Sequence, residues 1–280
     1  MASSPRWRYY LLRAGIACAI TYGSILVATM VGETGAVYRP SPGPTEPAAA
    51  GLPNYTRKTL AHGTQPPITY WENGAPAGAP TVLYFHGNGG GLYRYASALA
   101  FLDKQHVHVV AMEYRGYPGA LGSPSQRSIV RDAQALYDHL KTTQPGIALW
   151  GYSLGSGVAT QLAATRPVTA LVLEAPFTAA VDLAGEMFPY LPVQVLMRNS
   201  YRSRAVIGQI NVPLFIMHGG ADRVVPVAHG RALFEQANQP KILRIASQAN
   251  HFNLIQYGAY DEAVDFLRQA PRPSYKPLIP

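Results

Sequence analysis

The chain contains a single cysteine and few charged residues. Cys18 stands alone among 280 residues, which excludes an intrachain disulfide and a multi-cysteine metal site. It lies in an apolar stretch that disfavours the thiolate, which argues against a catalytic cysteine. Charged residues make up 14% of the chain and hydrophobic residues 48%, the reverse of the balance in disordered chains. The composition therefore predicts a folded protein with a substantial core.

Signals for nucleic-acid and metal binding are also missing. The net charge is +8, but the basic residues are scattered and form no dense run. No zinc-ligand spacing or RNA-binding aromatic box accompanies them. We therefore expect no nucleic-acid partner, no metal and no organic cofactor. The basic surface fits attraction to an anionic membrane or substrate, and it fits simple solubility equally well.

An uncharged run of 18 residues extends from Ala14 to Val31, which is just long enough to cross a bilayer. Three arginines precede it and a glutamate follows it. The positive-inside rule then places the N-terminus in the cytoplasm and the remainder in the periplasm or lumen. A secretory signal cleaved near Thr34 and Ala36, or a buried soluble helix, would explain the run differently. Its length favours an uncleaved anchor, and we assign residues 1–36 to it.

A tract rich in proline, glycine and alanine follows this run. Residues 39 to 53 read RPSPGPTEPAAAGLP, a composition that resists a packed core and is typical of a semi-rigid spacer. We therefore predict a linker over residues 37–54 that holds a domain, residues 55–280, away from the membrane.

From residue 55 onward, apolar strands alternate with longer helices. Strands such as Thr81 to Phe85 and Val107 to Met112 are separated by helices such as Ser125 to Thr143. This alternation predicts an α/β fold with a mostly parallel central sheet flanked by helices. Between two strands, residues 178–205 carry apolar and basic side chains and are predicted to form a small helical cap. Ligands bind beyond the carboxyl ends of such strands, where the motifs described next are found.

The strongest motif is Gly151-Tyr152-Ser153-Leu154-Gly155, a G-x-S-x-G pattern. A predicted strand precedes it and a predicted helix follows it, which is the strand–turn–helix setting of a nucleophile elbow. The elbow exposes the serine hydroxyl near the positive end of the following helix. We therefore predict Ser153 as a nucleophile, although a glycine-rich turn with an incidental serine would show the same letters.

A serine nucleophile needs a base, and the base needs an acid to orient it. In this strand–helix arrangement the acid and then the histidine follow the serine along the chain. Asp222 stands directly after the strand PLFIM, and His251 stands in the loop after KILRI. We predict these two residues as acid and base. Glu174, at the end of another strand, is the rival acid.

An oxyanion site requires backbone N–H donors near the serine. Leu154 follows the nucleophile, and the run HGNGGG after the strand TVLYF contains Asn88. We predict the N–H groups of Leu154 and Asn88 as donors, with Gly89 in reserve. Gly89, Tyr152 and Arg115 are predicted to contact the substrate, although for Arg115 an ion pair with a nearby carboxylate is favoured over that role. A phosphate-binding loop is disfavoured because the Walker lysine is absent.

These motifs together resemble the α/β-hydrolase superfamily, and most closely its membrane-anchored hydrolase-domain proteins (the ABHD group) and their bacterial relatives. The resemblance covers about Ile68 to Leu267 and includes EYRGYPGALGSPS, LEAPFTA and NHFNL. It implies cleavage of esters or thioesters, often of acyl lipids, without a cofactor. The absence of an N-terminal cysteine cluster argues against the depalmitoylating branch. A non-catalytic binding protein on the same fold, or a serine peptidase or acyltransferase, remains the alternative.

Overall fold

A computed structural model describes residues 6–76, 78–144 and 146–271, apart from the side chain of residue 62. Within these residues the chain forms ten strands: β1 Arg39–Pro40, β2 Tyr55–His62, β3 Gln65–Asn73, β4 Thr81–Phe85, β5 Gly89–Gly90, β6 His108–Met112, β7 Ile147–Tyr152, β8 Leu171–Glu174, β9 Leu214–Gly219 and β10 Lys241–Ala246. Eight of them form one sheet in the order β10-β9-β8-β7-β4-β6-β3-β2. The six strands from β10 to β6 are parallel, whereas β3 pairs antiparallel with both β6 and β2. The predicted fold class is thereby confirmed.

The helices follow the predicted alternation. They are α1 Arg6–Val37, α2 Ala96–Lys104, α3 Gln126–Leu140, α4 Leu154–Ala163, α5 Ala180–Met187, α6 Val193–Leu196, α7 Val227–Gln236 and α8 Ala259–Gln269. The start of α3 illustrates the local cause: the Ser125 hydroxyl accepts a hydrogen bond from the Ser128 N–H at 3.1 Å, and such an N-cap satisfies a donor that the helix leaves unpaired.

The inner parallel strands β4, β7, β8 and β9 are buried on both faces, as their continuous apolar sequences require, whereas the edge strand β10 is only partly buried. One face packs against α3, α4 and α7, through residues such as Ile129, Val158 and Leu233. The other packs against α2 and α8, through residues such as Leu99 and Val264. Helices on both faces leave the carboxyl edge of the strands as the open end of the sheet, so side chains that follow the strands meet there.

The tract predicted as a spacer lies on the surface of the domain. Arg39 and Pro40 of β1 pair with Gly89 and Gly90 of β5, while Leu52 is buried. Prolines are compatible with such a short edge strand, because only one side of its backbone donates to a neighbour. The tract therefore packs against the loop after β4, whereas its composition predicts a semi-rigid linker.

The N-terminal helix α1 is long and apolar enough to cross a membrane, and its apolar window is exposed. The segment predicted as a cap holds α5 and α6 and lies between β8 and β9. The division of the chain into anchor, linker and domain stays a prediction.

Candidate active site

Ser153 lies at the turn between β7 and α4, in a strained backbone conformation. Its φ is +50°, in a region that costs a non-glycine residue of the order of 1–3 kcal/mol. The surroundings hold it there. The Ser153 N–H donates to the Glu174 carbonyl at 2.9 Å, and the Ser153 carbonyl accepts from the Ser156 N–H at 2.9 Å. The hydroxyl consequently stands at the N-terminus of α4, at the carboxyl edge of the sheet.

The two glycines of G-x-S-x-G are required by close backbone contacts. A Cβ on Gly155 would lie 2.0 Å from the Phe85 carbonyl oxygen, and one on Gly151 would lie 2.3 Å from the Gly155 carbonyl oxygen. Both obstacles are main chain, which cannot rotate away. The motif therefore reflects how closely α4 crosses β4 and β7.

We expect Gly155→Ala to destabilise the protein by about 4 kcal/mol or more, because two backbones must separate to admit one methyl group. Gly185→Ala is the matched control, since its Cβ would lie 3.7 Å from Val193 Cγ2, an ordinary contact. That control is expected to be neutral or stabilising, by up to about 1 kcal/mol. Urea denaturation of both variants measures the difference; equal stabilities would contradict the close-contact explanation.

The predicted base and acid lie in contact with the predicted nucleophile. His251 Nε2 is 3.0 Å from Ser153 Oγ, and His251 Nδ1 is 2.7 Å from Asp222 Oδ2. With Nδ1 protonated and donating to the carboxylate, Nε2 is free to accept the serine proton. His251 is only 4% exposed. Ninety-eight residues separate His251 from Ser153 in the chain, so this contact is created by the fold.

Asp222 is held as a carboxylate by several donors. Its Oδ1 accepts the N–H groups of Val224 and Val225, both at 2.8 Å. Burial alone would raise the pKa of Asp222, but hydrogen bonding from His218 and His251 lowers that pKa below its ordinary value. His218 Nε2 lies 3.4 Å from Asp222 Oδ2 and 2.9 Å from the Val225 carbonyl. The sequence analysis did not predict this contact; the position of His218 four residues before Asp222 was the available signal.

The loop after β4 is fixed on both sides of Asn88. The Asn88 carbonyl accepts the Arg39 N–H at 3.0 Å and the Tyr117 hydroxyl at 2.7 Å. Buried His86, at the start of the loop, lies 2.8 Å from Glu113 through Nε2. Leu154 is the first residue of α4, so its N–H has no acceptor inside the helix. A preorganised loop and a free helical N–H are what an oxyanion site requires.

The three predicted substrate contacts have different surroundings. Gly89 pairs with Arg39 in the β1–β5 ladder and belongs to the fixed loop. The Tyr152 hydroxyl donates to the His251 carbonyl at 2.9 Å, and its buried ring supports the histidine loop. Arg115 forms the ion pair that the sequence favoured over a substrate contact: both of its bonding nitrogens meet the buried carboxylate of Asp132, one of them at 2.6 Å. A guanidinium committed to a buried carboxylate serves as a structural ion pair.

Glu174, the rival acid, is directed into the core. Its carboxylate accepts the Trp150 indole N–H at 3.1 Å and the Tyr260 hydroxyl at 2.9 Å. Desolvation by burial raises the pKa of Glu174 from 4.5 to about 7, against the lowering effect of these two hydrogen bonds. His251 bonds to Asp222 instead, so the geometry favours Asp222 as the orienting acid.

This raised pKa predicts a pH-dependent stability. The unfolded chain loses the Glu174 proton near pH 4.5 and the folded chain near pH 7, so unfolding releases a proton between them. The free energy of unfolding should fall through this window by about 3 kcal/mol in total as pH rises, and then level off. Glu174→Gln cannot titrate at this position, so its free energy of unfolding relative to that of the wild type should rise by that amount between pH 4.5 and 7. Urea denaturation across this pH range tests the prediction, with substitution of the exposed Glu235 by Gln as the control. A difference in the free energy of unfolding between Glu174→Gln and the wild type that does not change with pH would contradict the prediction.

Comparison with known proteins gives matches in sequence and in structure. The family model described as serine aminopeptidase, S33, matches residues 77–205. An uncharacterized protein of Mycobacterium tuberculosis is 31% identical over 223 residues, which cover 77% of this chain and 79% of that protein. The zebrafish lysophosphatidylserine lipase ABHD12 is 33% identical over 202 residues, which cover 62% of this chain and 51% of the lipase. The chain thus spans about half the length of that lipase.

Solved structures share the fold at low sequence identity. An esterase of Pyrococcus furiosus superimposes with a TM-score of 0.67 at 19% identity, covering 83% of this chain and 96% of the esterase. A monoacylglycerol lipase of Paleococcus ferrophilus gives 0.57 at 18% identity, covering 71% and 98%. These structures show the fold, and the family model and the sequence relatives support a hydrolase of the esterase and lipase type. From its motifs, its sheet order and its relatives, this chain belongs to the α/β-hydrolase superfamily and has ABHD-type proteins among its relatives.

Proposed function

We propose that the protein is a membrane-tethered serine hydrolase that cleaves carboxylic esters or thioesters. The observation that carries the proposal is the unbroken chain of contacts from Ser153 Oγ through His251 to Asp222, at 3.0 and 2.7 Å. Each member follows a different strand of the parallel sheet, at the edge where this fold places its ligands. A hydroxyl, an imidazole and a carboxylate in this order are the requirements of acyl transfer through a serine.

In the proposed mechanism, His251 takes the Ser153 proton as the hydroxyl oxygen attacks the substrate carbonyl. The N–H groups of Leu154 and Asn88 stabilise the negative oxygen of the tetrahedral intermediate. His251 then gives its proton to the departing alcohol or thiol, which leaves an acyl group on Ser153. A water molecule, deprotonated by His251, attacks this acyl-enzyme; the acid departs and the serine is restored. Asp222 keeps the imidazole in the required tautomer throughout.

We further propose that the substrates are acyl lipids reached from a membrane. Two observations support this: α1 is apolar and exposed, and a relative at 33% identity is described as a lysophosphatidylserine lipase. Large apolar side chains are also exposed on the cap.

The test uses the full chain in detergent micelles, p-nitrophenyl esters from acetate to palmitate, and a fluorophosphonate probe. We expect ester turnover and a single labelled residue, Ser153, identified by mass spectrometry. Increasing kcat/KM with chain length would support an acyl-lipid substrate. If no ester is turned over and the probe leaves Ser153 unlabelled, the binding-protein alternative is correct.

A peptidase is the second candidate, because the matching family model is described as a serine aminopeptidase. The same nucleophile and base could attack an amide carbonyl. Aminoacyl p-nitroanilides assayed beside the esters separate the two, since we expect kcat/KM to favour the esters.

A further inference from the structure

One face of α1 lies against the cap. The Tyr22 hydroxyl donates to the Tyr190 carbonyl at 3.0 Å, and Leu26 and Thr29 on the same face are half-buried. At the end of the helix, Glu33 Oε1 accepts the main-chain N–H groups of Arg198 and Asn199 at 2.9 and 2.7 Å. Glu33 is 7% exposed, which is unusual for a glutamate and shows how firmly this end is held.

The length of this contact matters for a helix that enters a bilayer. Tyr22 precedes Glu33 by eleven residues, which is about 16 Å along an α-helix. One leaflet contributes half of a hydrocarbon core about 30 Å thick. Glu33 follows the uncharged run almost at once, so it would lie among the headgroups while Tyr22 lies in hydrocarbon. A cap bonded to both residues must enter the leaflet beside the helix.

The cap has exposed apolar side chains of the kind that entry into a leaflet requires. Near Tyr190, which contacts Tyr22, the cap exposes large apolar side chains. The exposed fractions are 67% for Met187, 50% for Phe188, 88% for Tyr190 and 84% for Val195. Together they form an apolar tip, and exposed apolar clusters of this kind mark sites of association.

The acidic residues of α5 are engaged elsewhere. Asp182 accepts the Thr178 hydroxyl at 2.7 Å, and Glu186 lies 3.3 Å from His229 Nε2. The first contact lies within the cap, and the second joins α5 to α7, so each of these two carboxylates has a polar partner.

A basic cleft lies at the level of Glu33. It has a volume of about 470 Å³ and is lined by Arg127 and Arg131 of α3 and by Arg198 of the cap. Among the residues that the structure describes, none of these three guanidinium groups forms an ion pair with a carboxylate. The cleft is joined to the end of α1, because Asn199 Oδ1 also accepts the Gln126 N–H at 2.7 Å.

We propose that the apolar tip and the basic cleft form one docking surface for an anionic lipid bilayer. The tip enters the hydrocarbon of the leaflet that holds the end of α1, and the three arginines bind anionic headgroups at its surface. The inference rests on the membrane tethering in the proposed function, but it is independent of the hydrolytic chemistry. It would place the cap where acyl lipids are already concentrated.

The test for the tip uses the full chain, with Cys18→Ser, in vesicles of phosphatidylcholine and phosphatidylglycerol. Tyr190→Cys carries an environment-sensitive nitrobenzoxadiazole dye, and Asp265→Cys on α8, in the other helical layer, is the matched control. We expect blue-shifted emission and quenching by nitroxide-labelled lipids only for the dye at position 190. Resistance to alkaline carbonate extraction measures membrane tethering separately, and ester turnover measures catalytic activity.

Two results would overturn the docking surface. If the chain resists extraction and turns over esters but the dye at position 190 is as water-exposed as the control, tethering and catalysis stand and docking fails. If carbonate extracts the chain, tethering and docking fail together, and ester turnover still decides the catalytic proposal.

The charge contribution is tested with nitroxide-labelled phosphatidylglycerol and phosphatidylcholine in the same vesicles. Each arginine near an anionic surface favours binding by about fivefold, so the wild type should prefer phosphatidylglycerol and Arg127→Gln/Arg131→Gln should lose most of that preference. Lys104→Gln/Arg231→Gln removes two exposed charges outside the cleft and should keep it. Equal losses in both double variants, or a preference unchanged in the first, would show that the cleft is not the headgroup site.

Discussion

A Ser153→Ala variant is expected to lose about six orders of magnitude in kcat on an ester that the wild type cleaves. The loss is large because the covalent acyl-enzyme cannot form without Ser153 Oγ, which lies 3.0 Å from His251 Nε2. Residual catalysis would come only from the oxyanion donors and from substrate binding. Steady-state kinetics with p-nitrophenyl esters measures the loss, and circular dichroism checks that the fold is retained.

The structure also predicts that this loss is not additive. Ser153 and His251 act as one unit in the proposed mechanism, so Ser153→Ala/His251→Ala should be hardly slower than Ser153→Ala alone. Ser97→Ala, on the exposed surface of α2, is the matched serine control and should keep full activity. A Ser153→Ala enzyme with activity near that of the wild type would remove Ser153 from the mechanism and reopen the assignment of the nucleophile.

The second large effect is expected at Asp222. An Asp222→Asn variant should lose about four orders of magnitude in kcat, because an amide no longer stabilises the imidazolium and can select the wrong histidine tautomer. The low pKa of Asp222, maintained by the hydrogen bonds of His218 and His251 against burial, keeps the carboxylate ionised well into the acidic range. Loss of activity toward acid pH should therefore follow the protonation of another group.

Glu174→Gln is the discriminating comparison for Asp222→Asn. Glu174 contacts Trp150 and Tyr260, and the amide of glutamine can still accept a hydrogen bond. We expect this variant to retain kcat within about tenfold of the wild type. The reverse result, a severe loss in Glu174→Gln with Asp222→Asn nearly active, would transfer the role of orienting acid to Glu174.

The predicted fold class was accessible from the sequence because each strand and helix carries its own local pattern. A strand such as Thr81–Phe85 is continuously apolar since both of its faces are covered. Ser153, Asp222 and His251 were also identifiable, because glycines surround the first and strands precede the other two. The structure brings the three side chains into contact, whereas their catalytic roles stay predictions.

The missed features depend on partners that are distant in the chain. The tract at 39–53 has the composition of a spacer, yet it pairs with β5, where the Gly90 carbonyl accepts the Ser41 N–H. For Arg115 an ion pair was favoured, but its partner, Asp132 on α3, could not be named from the sequence. Composition describes what a segment can do alone, and it carries no information about which surface lies opposite.

The local pattern of residues by itself determined the alternation of strands and helices, the nucleophile motif and an apolar N-terminal helix. These features arise from periodicity, from glycine at close contacts and from hydrophobic length, all of which act over neighbouring residues. Only the tertiary structure decided which acid contacts His251, where Arg115 lies, and that α1 ends against the cap through Glu33. These outcomes depend on distances between segments far apart in the chain, which are settled when the sheet and its helices pack together.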